Sequence, residues 1–289
     1  MTTITVFVSL VLFCSLLSLY IWFNKTRSFD YFRNKHVFIT GASSGIGKSL
    51  AIYLATAKSA RVSLAARSLN KLEDICKSIQ EKGGSAQVIY LDLCDSSSFT
   101  KALEQSTKGF GNIDILIANA AVNNDGLCFT SLSLEQIDKV MQTNLRGTIL
   151  FIHLVLMNMM KDNGGHIVGI SSLAGYRGLP MGSIYGATKA ALSNLLESLR
   201  IELYHTNVHI TTIHPGFIDT PAIQGMKHPK LFLLSAETAA KKITNAVASR
   251  KYTYGFPWVM EHIVMRFIRY LPETVFVPLL YFLTRKNFA

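Results

Sequence analysis

The chain has 289 residues, 49% of them hydrophobic and 16% charged, with four cysteines and a formal net charge of +11. Such a hydrophobic share excludes a disordered or low-complexity chain, and Cys14, Cys76, Cys94 and Cys128 lack both the Cys-x-x-Cys spacing and the close His pairs of a disulfide framework or zinc site. The charge sits mostly in the flanks, where residues 1–36 and 250–289 together carry +7 and the long middle only +4, so a nucleic-acid groove with its dense basic stripe is excluded as well.

Residues 4–23 contain no charged side chain, and twenty helical residues rise about 30 Å, the thickness of a bilayer's hydrocarbon core. Tyr20 and Trp22 stand at its end, at interface depth, followed by Lys25, Arg27, Arg33 and Lys35. Residues 1–24 are therefore read as a single-pass anchor and 25–35 as a basic linker. By the positive-inside rule the globular part faces the cytosol, at the endoplasmic reticulum in a eukaryote or the inner membrane in a bacterium. A cleaved secretory leader and a core helix are the competing readings. The first lacks a basic start and a small-x-small cleavage site, and the second is hard to reconcile with a segment apolar on all sides.

From residue 36 to about 250, β-branched runs alternate with stretches whose apolar positions recur three and four apart. Strands are predicted over 36–40, 61–66, 86–91, 113–119, 166–171 and 208–213, and helices over 46–57, 70–81, 97–108, 134–160 and 184–205. This alternation predicts an α/β domain of Rossmann type, a doubly wound parallel sheet with helices on both faces and chemistry at the carboxyl ends of its strands.

The motifs fall at those ends. After the first strand comes Thr40-Gly41-Ala42-Ser43-Ser44-Gly45-Ile46-Gly47. There the glycines permit a tight turn and a close backbone approach, and the orphan N–H groups of the following helix attract a pyrophosphate. The second strand ends in Ala65-Ala66-Arg67, with no acid to hold a ribose 2′-hydroxyl and an arginine able to grip a 2′-phosphate, so NADP(H) is favoured over NAD(H). Tyr185 and Lys189 lie four apart on one helix face, where the ammonium is expected to lower the phenol's pKa toward neutrality. A second Tyr-x-x-x-Lys pair, Tyr31 and Lys35, lies in the linker and is read as accidental.

With these motifs in order, and with Asp92-Leu93, Asn119, Asn144, Ser171-Ser172 and Pro215-Gly216 through Thr220 between and after them, the sequence resembles the short-chain dehydrogenase/reductase family from about Lys35 to Ala248. The resemblance implies catalytic roles for four residues. Ser172 would bond the substrate oxygen, Tyr185 would be the general acid or base, Lys189 would tune it and bind the ribose, and Asn144 would hold the water of a proton relay. It also implies cofactor contacts from the glycine motif, Asp92, Leu93, Asn119, Pro215, Gly216, Ile218 and Thr220, and a homodimer or homotetramer paired through the two long helices. One departure is Asn119-Ala120-Ala121, where the family has Asn-Ala-Gly; the methyl at 121 crowds the cofactor's approach.

The loop 221–235 carries Met226, Leu231, Phe232, Leu233 and Leu234, a greasy lid for a lipophilic substrate or simple packing on the body. A further strand is expected over 252–256. Residues 251–289 mix aromatics with Arg266 and Arg269 and are read as an amphipathic extension suited to a membrane surface, the core or a dimer contact; Pro272 and Pro278 divide it into pieces too short to span. His205, His209 and His214 lack the partners of a metal site. The sequence thus predicts a membrane-anchored, NADPH-dependent reductase of lipophilic carbonyl compounds, of the 3-ketosphinganine reductase or hydroxysteroid dehydrogenase type. An NAD-dependent hydroxysteroid or retinol dehydrogenase and a catalytically silent dinucleotide-binding scaffold are the alternatives.

Overall fold

The computed structural model describes residues 31–123, 126–162, 164–224 and 230–285, with backbone alone at 263–265. The predicted anchor over residues 4–23 lies outside them. The strands are β1 (His36–Thr40), β2 (Arg61–Ala66), β3 (Ser85–Tyr90), β4 (Ile115–Ala118), β5 (Gly165–Ile170), β6 (Val208–Pro215), β7 (Ile218–Asp219), β8 (Leu234–Ser235) and β9 (Thr253–Phe256). Seven of them form one sheet in the order β3-β2-β1-β4-β5-β6-β9, and every pair in it is parallel. The two-residue strands β7 and β8 pair separately and close the base of the loop between them.

A parallel sheet is covered on both faces, so its strands read as continuous apolar runs. All five residues of β1 are buried. Val37 and Ile39 pack to one side with Leu50, Leu54, Ile243 and Val247, while Phe38 packs to the other with Phe99, Phe151 and Leu196. The helices follow that division. The first core is covered by α1 (Gly45–Ala57), α2 (Leu69–Glu81) and α7 (Ala236–Ala248), the second by α3 (Ser97–Phe110), α5 (Thr148–Lys161) and α6 (Ser183–Glu202). Phe151 meets Phe38 at 5.2 Å and Phe99 edge-on at 5.4 Å, and each such fully buried ring contributes about 2–3 kcal/mol by removal from water.

The single helix predicted over 134–160 is instead three pieces: α4 (Leu134–Met141), a π-helical turn at Gln142–Gly147, and α5. Ser133 starts it with a reciprocal capping box to Gln136. In this turn Gly147 lies so close to the loop after β3 that a Cβ on it would stand 1.9 Å from the Leu93 carbonyl oxygen. Among the described residues, Leu134–Lys161 is the one helical stretch long and apolar enough to cross a membrane, yet Phe151, Ile152, Val155, Leu156 and Met159 bury its inner face on the sheet. Past β9 the chain continues through a π-turn at Met260–Met265, a short helix α8 (Arg266–Tyr270) and α9 (Glu273–Thr284). The helix α7 was not anticipated; the expected strand over 252–256 is present as β9.

Candidate active site

At the carboxyl ends of the strands lies a cavity of about 360 Å³. The glycine turn forms one wall. Gly41 has φ +68°, and a Cβ there would stand 2.7 Å from the Ala120 Cα, so only glycine lets the turn after β1 approach the loop after β4 so closely. Ser44 precedes α1 with extended backbone and makes no side-chain cap, and the first turn of α1 holds no acidic residue. Its leading N–H groups are thus free to meet an anion at the positive end of the helix. Gly47 does not line the cavity. A Cβ on it would strike the Gly41 oxygen at 2.3 Å and Asn119 Nδ2 at 2.6 Å, so its part is to let α1 press against the turn.

Thr40, which carried no expectation of its own, holds the two loops together. Its Oγ1 accepts from the backbone N–H groups of Asn119 and Ala120, each at 3.0 Å, and Asn119 Nδ2 returns a bond to the Thr40 carbonyl at 2.9 Å. A hydroxyl just before a glycine turn was the available signal. Arg67 and Ser68 line the cavity beyond β2, and Asp92 and Leu93 beyond β3. Asp92 Oδ1 accepts the Cys94 N–H at 3.0 Å, which fixes the carboxylate. Ala121 lies on the same lining, as do Pro215, Gly216, Ile218 and Thr220 from the far side. Thr220 also leans on Gly45, whose φ is +53°.

Ser172, Tyr185 and Lys189 converge on this cavity. Ser172 follows β5 and its Oγ accepts the Ala174 N–H at 3.1 Å, opening a short 3-10 turn. Tyr185 and Lys189 project from the first two turns of α6, with Lys189 Nζ 5.6 Å from the tyrosine ring centroid. Lys189 is 2% exposed, and its ammonium donates to the Ile170 carbonyl at 2.8 Å. Burial brings its pKa down to about 8. Tyr185 departs from the expected direction. Burial raises its pKa, and the Ser172 hydroxyl beside it pulls the other way. Lys189 spends its short contact on the Ile170 carbonyl rather than on the phenol, so desolvation outweighs the anticipated lowering.

Asn144 sits in the π-turn, buried and behind the cavity wall. Its Oδ1 accepts the Val122 N–H at 2.8 Å and its Nδ2 donates to the Val122 carbonyl at 2.7 Å and to Thr188 Oγ1 at 3.3 Å. The side chain thereby clasps the loop after β4 against α6. Across the mouth, Asn123 Nδ2 contacts the Ala222 carbonyl. The accidental pair behaves as such: Lys35 lies over the Tyr31 ring at 4.2 Å, and Tyr31 bonds His166 at the start of β5, the opposite end of the sheet. Of the greasy loop, Leu231, Phe232 and Leu233 are exposed, and Met226 lies outside the described residues.

The cavity has the shape a dinucleotide needs: a turn that a Cβ would fill, an uncapped helix N-terminus, and polar groups along one side. Comparison with known proteins agrees. The family model described as short chain dehydrogenase matches residues 35–230. An uncharacterized oxidoreductase of Myxococcus xanthus is 32% identical over 82% of this chain and 93% of its own length, and the ketoacyl reductase HetN of Nostoc is 33% identical over 74% of each chain. The crystal structure of levodione reductase superposes with a TM-score of 0.73 at 24% identity, covering 80% of this chain and 99% of that one.

Proposed function

The chain belongs to the short-chain dehydrogenase family and is an NAD(P)-dependent oxidoreductase, and within that family we propose that it is a membrane-anchored, NADPH-dependent reductase of lipophilic ketones or aldehydes. The observation that carries the reading is the convergence of Ser172, Tyr185 and Lys189 on the cavity that the glycine turn and Arg67 also line. A bound nicotinamide dinucleotide supplies the hydride. The Ser172 hydroxyl holds the substrate's carbonyl oxygen, and the Tyr185 phenol, kept protonated by its raised pKa, gives that oxygen its proton. Lys189 is placed to hold ribose hydroxyls and to stabilise the phenolate left behind.

Preference for the 2′-phosphorylated cofactor rests on Arg67 at the mouth beyond β2, where no carboxylate stands to bond a free 2′-hydroxyl. The lipophilic substrate is supported by the exposed Leu231, Phe232 and Leu233 on the loop beyond the cavity. The membrane location, the cytosolic orientation and the catalytic domain over 36–250 rest on residues 4–23 and the basic linker. A dimer paired through α4–α5 and α6 is supported by the exposed Met157, Met160 and Ile201 on those helices.

The test is oxidation of NADPH and NADH by the full-length protein in detergent across steroid, retinoid, long-chain keto-lipid and small aromatic ketones. Turnover of a lipophilic ketone with NADPH is expected, and Arg67→Ala should raise KM for NADPH by roughly tenfold or more, since a charge-assisted bidentate contact is lost, while leaving NADH nearly unaffected. Equal use of both cofactors by the parent protein would remove the assigned role of Arg67.

A further inference from the structure

The segment after β9 leaves an unusual surface. Trp258, Phe267, Tyr270, Tyr281, Phe282 and Leu283 are each more than 60% exposed. So many large apolar side chains exposed on one segment mark an interaction surface. Its helices are too short to cross a bilayer, since the twelve residues of α9 rise only about 18 Å and contain Pro278. Tryptophan and tyrosine are the residues that settle at headgroup depth. Arg266, Arg269 and Arg285 stand among them, while of the two acids Glu261 is buried and only Glu273 faces solvent, so the charge complements an anionic surface.

This surface is fastened to the active site. Arg177 lies on the loop between Ser172 and Tyr185, and its Nη1 donates to the carbonyls of Ile268 at 2.8 Å, Arg269 at 3.0 Å and Leu271 at 2.6 Å. Its guanidinium also sits 4.1 Å from the ring centroid of Phe276. Beside it, the Tyr176 hydroxyl donates to the buried Glu261 at 3.3 Å, and the Tyr176 ring stacks at 4.6 Å on His214, whose Nδ1 meets the Ser172 carbonyl at 3.2 Å.

We propose that residues 258–285 form a platform lying in the headgroup layer of an anionic bilayer, and that Arg177 makes this platform and the Ser172 loop one mechanical unit. This deepens the lipophilic reading of the site but does not need the N-terminal anchor. In the full-length chain, Trp22→Phe leaves Trp258 as the one remaining tryptophan. On vesicles of phosphatidylcholine and phosphatidylglycerol with brominated acyl chains, Trp258 emission is expected to shift to the blue and to be quenched, since an interfacial helix sinks about 5–10 Å into the boundary. Arg269→Glu together with Arg285→Glu, which spare the pair between Arg266 and Glu261, should relieve that quenching, each cation near an anionic surface contributing roughly fivefold in affinity. Protein that floats with the vesicles while Trp258 stays unquenched overturns the platform and leaves the anchor standing. Protein that does not float overturns both. A blue-shifted but unquenched Trp258 places a second copy of the chain there instead, and also overturns the platform. For the latch, vesicles should slow amide exchange over residues 172–178 in the parent and not in Arg177→Ala, with NADPH binding retained as the check on folding. Equal protection in the two proteins overturns the coupling.

Discussion

Tyr185 and Lys189 were visible as a spacing, but their protonation was not, because a pKa depends on what the fold removes from water. Tyr185→Phe should abolish turnover while leaving NADPH affinity nearly unchanged, measured by single-turnover assay and cofactor fluorescence; surviving turnover would remove the assigned acid. Lys189 carries a cost in stability. The drop from 10.5 to about 8 corresponds to about 3 kcal/mol of unfavourable burial of the charge. The unfolded chain holds this proton more tightly, so the cost is fully present below about pH 8 and is relieved as pH rises from there toward 10.5. Lys189→Met should therefore be catalytically dead yet more stable at pH 7 by about 1–2 kcal/mol, the orphaned Ile170 carbonyl offsetting the rest. Urea denaturation checks it, and a destabilised Lys189→Met would show that the ammonium's bond to Ile170 outweighs its desolvation.

Strand and helix periodicities were legible to within a residue or two over β1, β2 and α1, where apolar runs and a glycine turn mark both ends. The stretch from Leu134 to Lys161 was not, because its apolar spacing continues through the π-turn and nothing local marks the break. What accompanies the break is tertiary: Gly147 meets the Leu93 carbonyl on the neighbouring loop, and Asn144 reaches Val122 from the same turn. Gly147→Ala should consequently cost about 1–3 kcal/mol through overpacking, far more than helix propensity alone would take, and should weaken cofactor binding as the loop bearing Leu93 shifts. Thermal unfolding with and without NADPH tests this, and an unchanged midpoint would show that the turn can relax. The helix α7 was readable in principle from the Ser235 cap, which accepts the Thr238 N–H, ahead of its alanine-rich run.

At the scale of the molecule, the fold class and the end of the sheet that holds the chemistry followed from the α/β alternation, whereas the network joining Ser172 to the extension could not. It unites residues 172, 176, 214 and 261, which no periodicity relates. Three buried histidines, His36, His166 and His214, have pKa values lowered by burial, His214 to about 4. Each is neutral when folded and takes up a proton more readily when unfolded, so stability should fall as pH drops from about 6.5 toward 4. For His214 alone the loss is about 3 kcal/mol. Denaturation midpoints at pH 7 and pH 5 capture about 2 kcal/mol of it, and His214→Gln should flatten the dependence; an unaltered slope would assign the loss to other groups.

The strand order has a consequence for synthesis. Once β1, β2 and β3 are paired, β4 adds to the free edge of β1, and β5, β6 and β9 each add to the outer edge left by the strand before. A chain leaving the ribosome therefore never has to wedge a strand between two that are already joined, and the sheet can widen at the pace of translation. The cost falls on the end of the schedule. Until residues 253–256 emerge, β6 presents an unpaired edge, the kind of edge on which a neighbouring nascent chain can add, so a pause before codon 253 is the moment at which this chain is most open to misassembly.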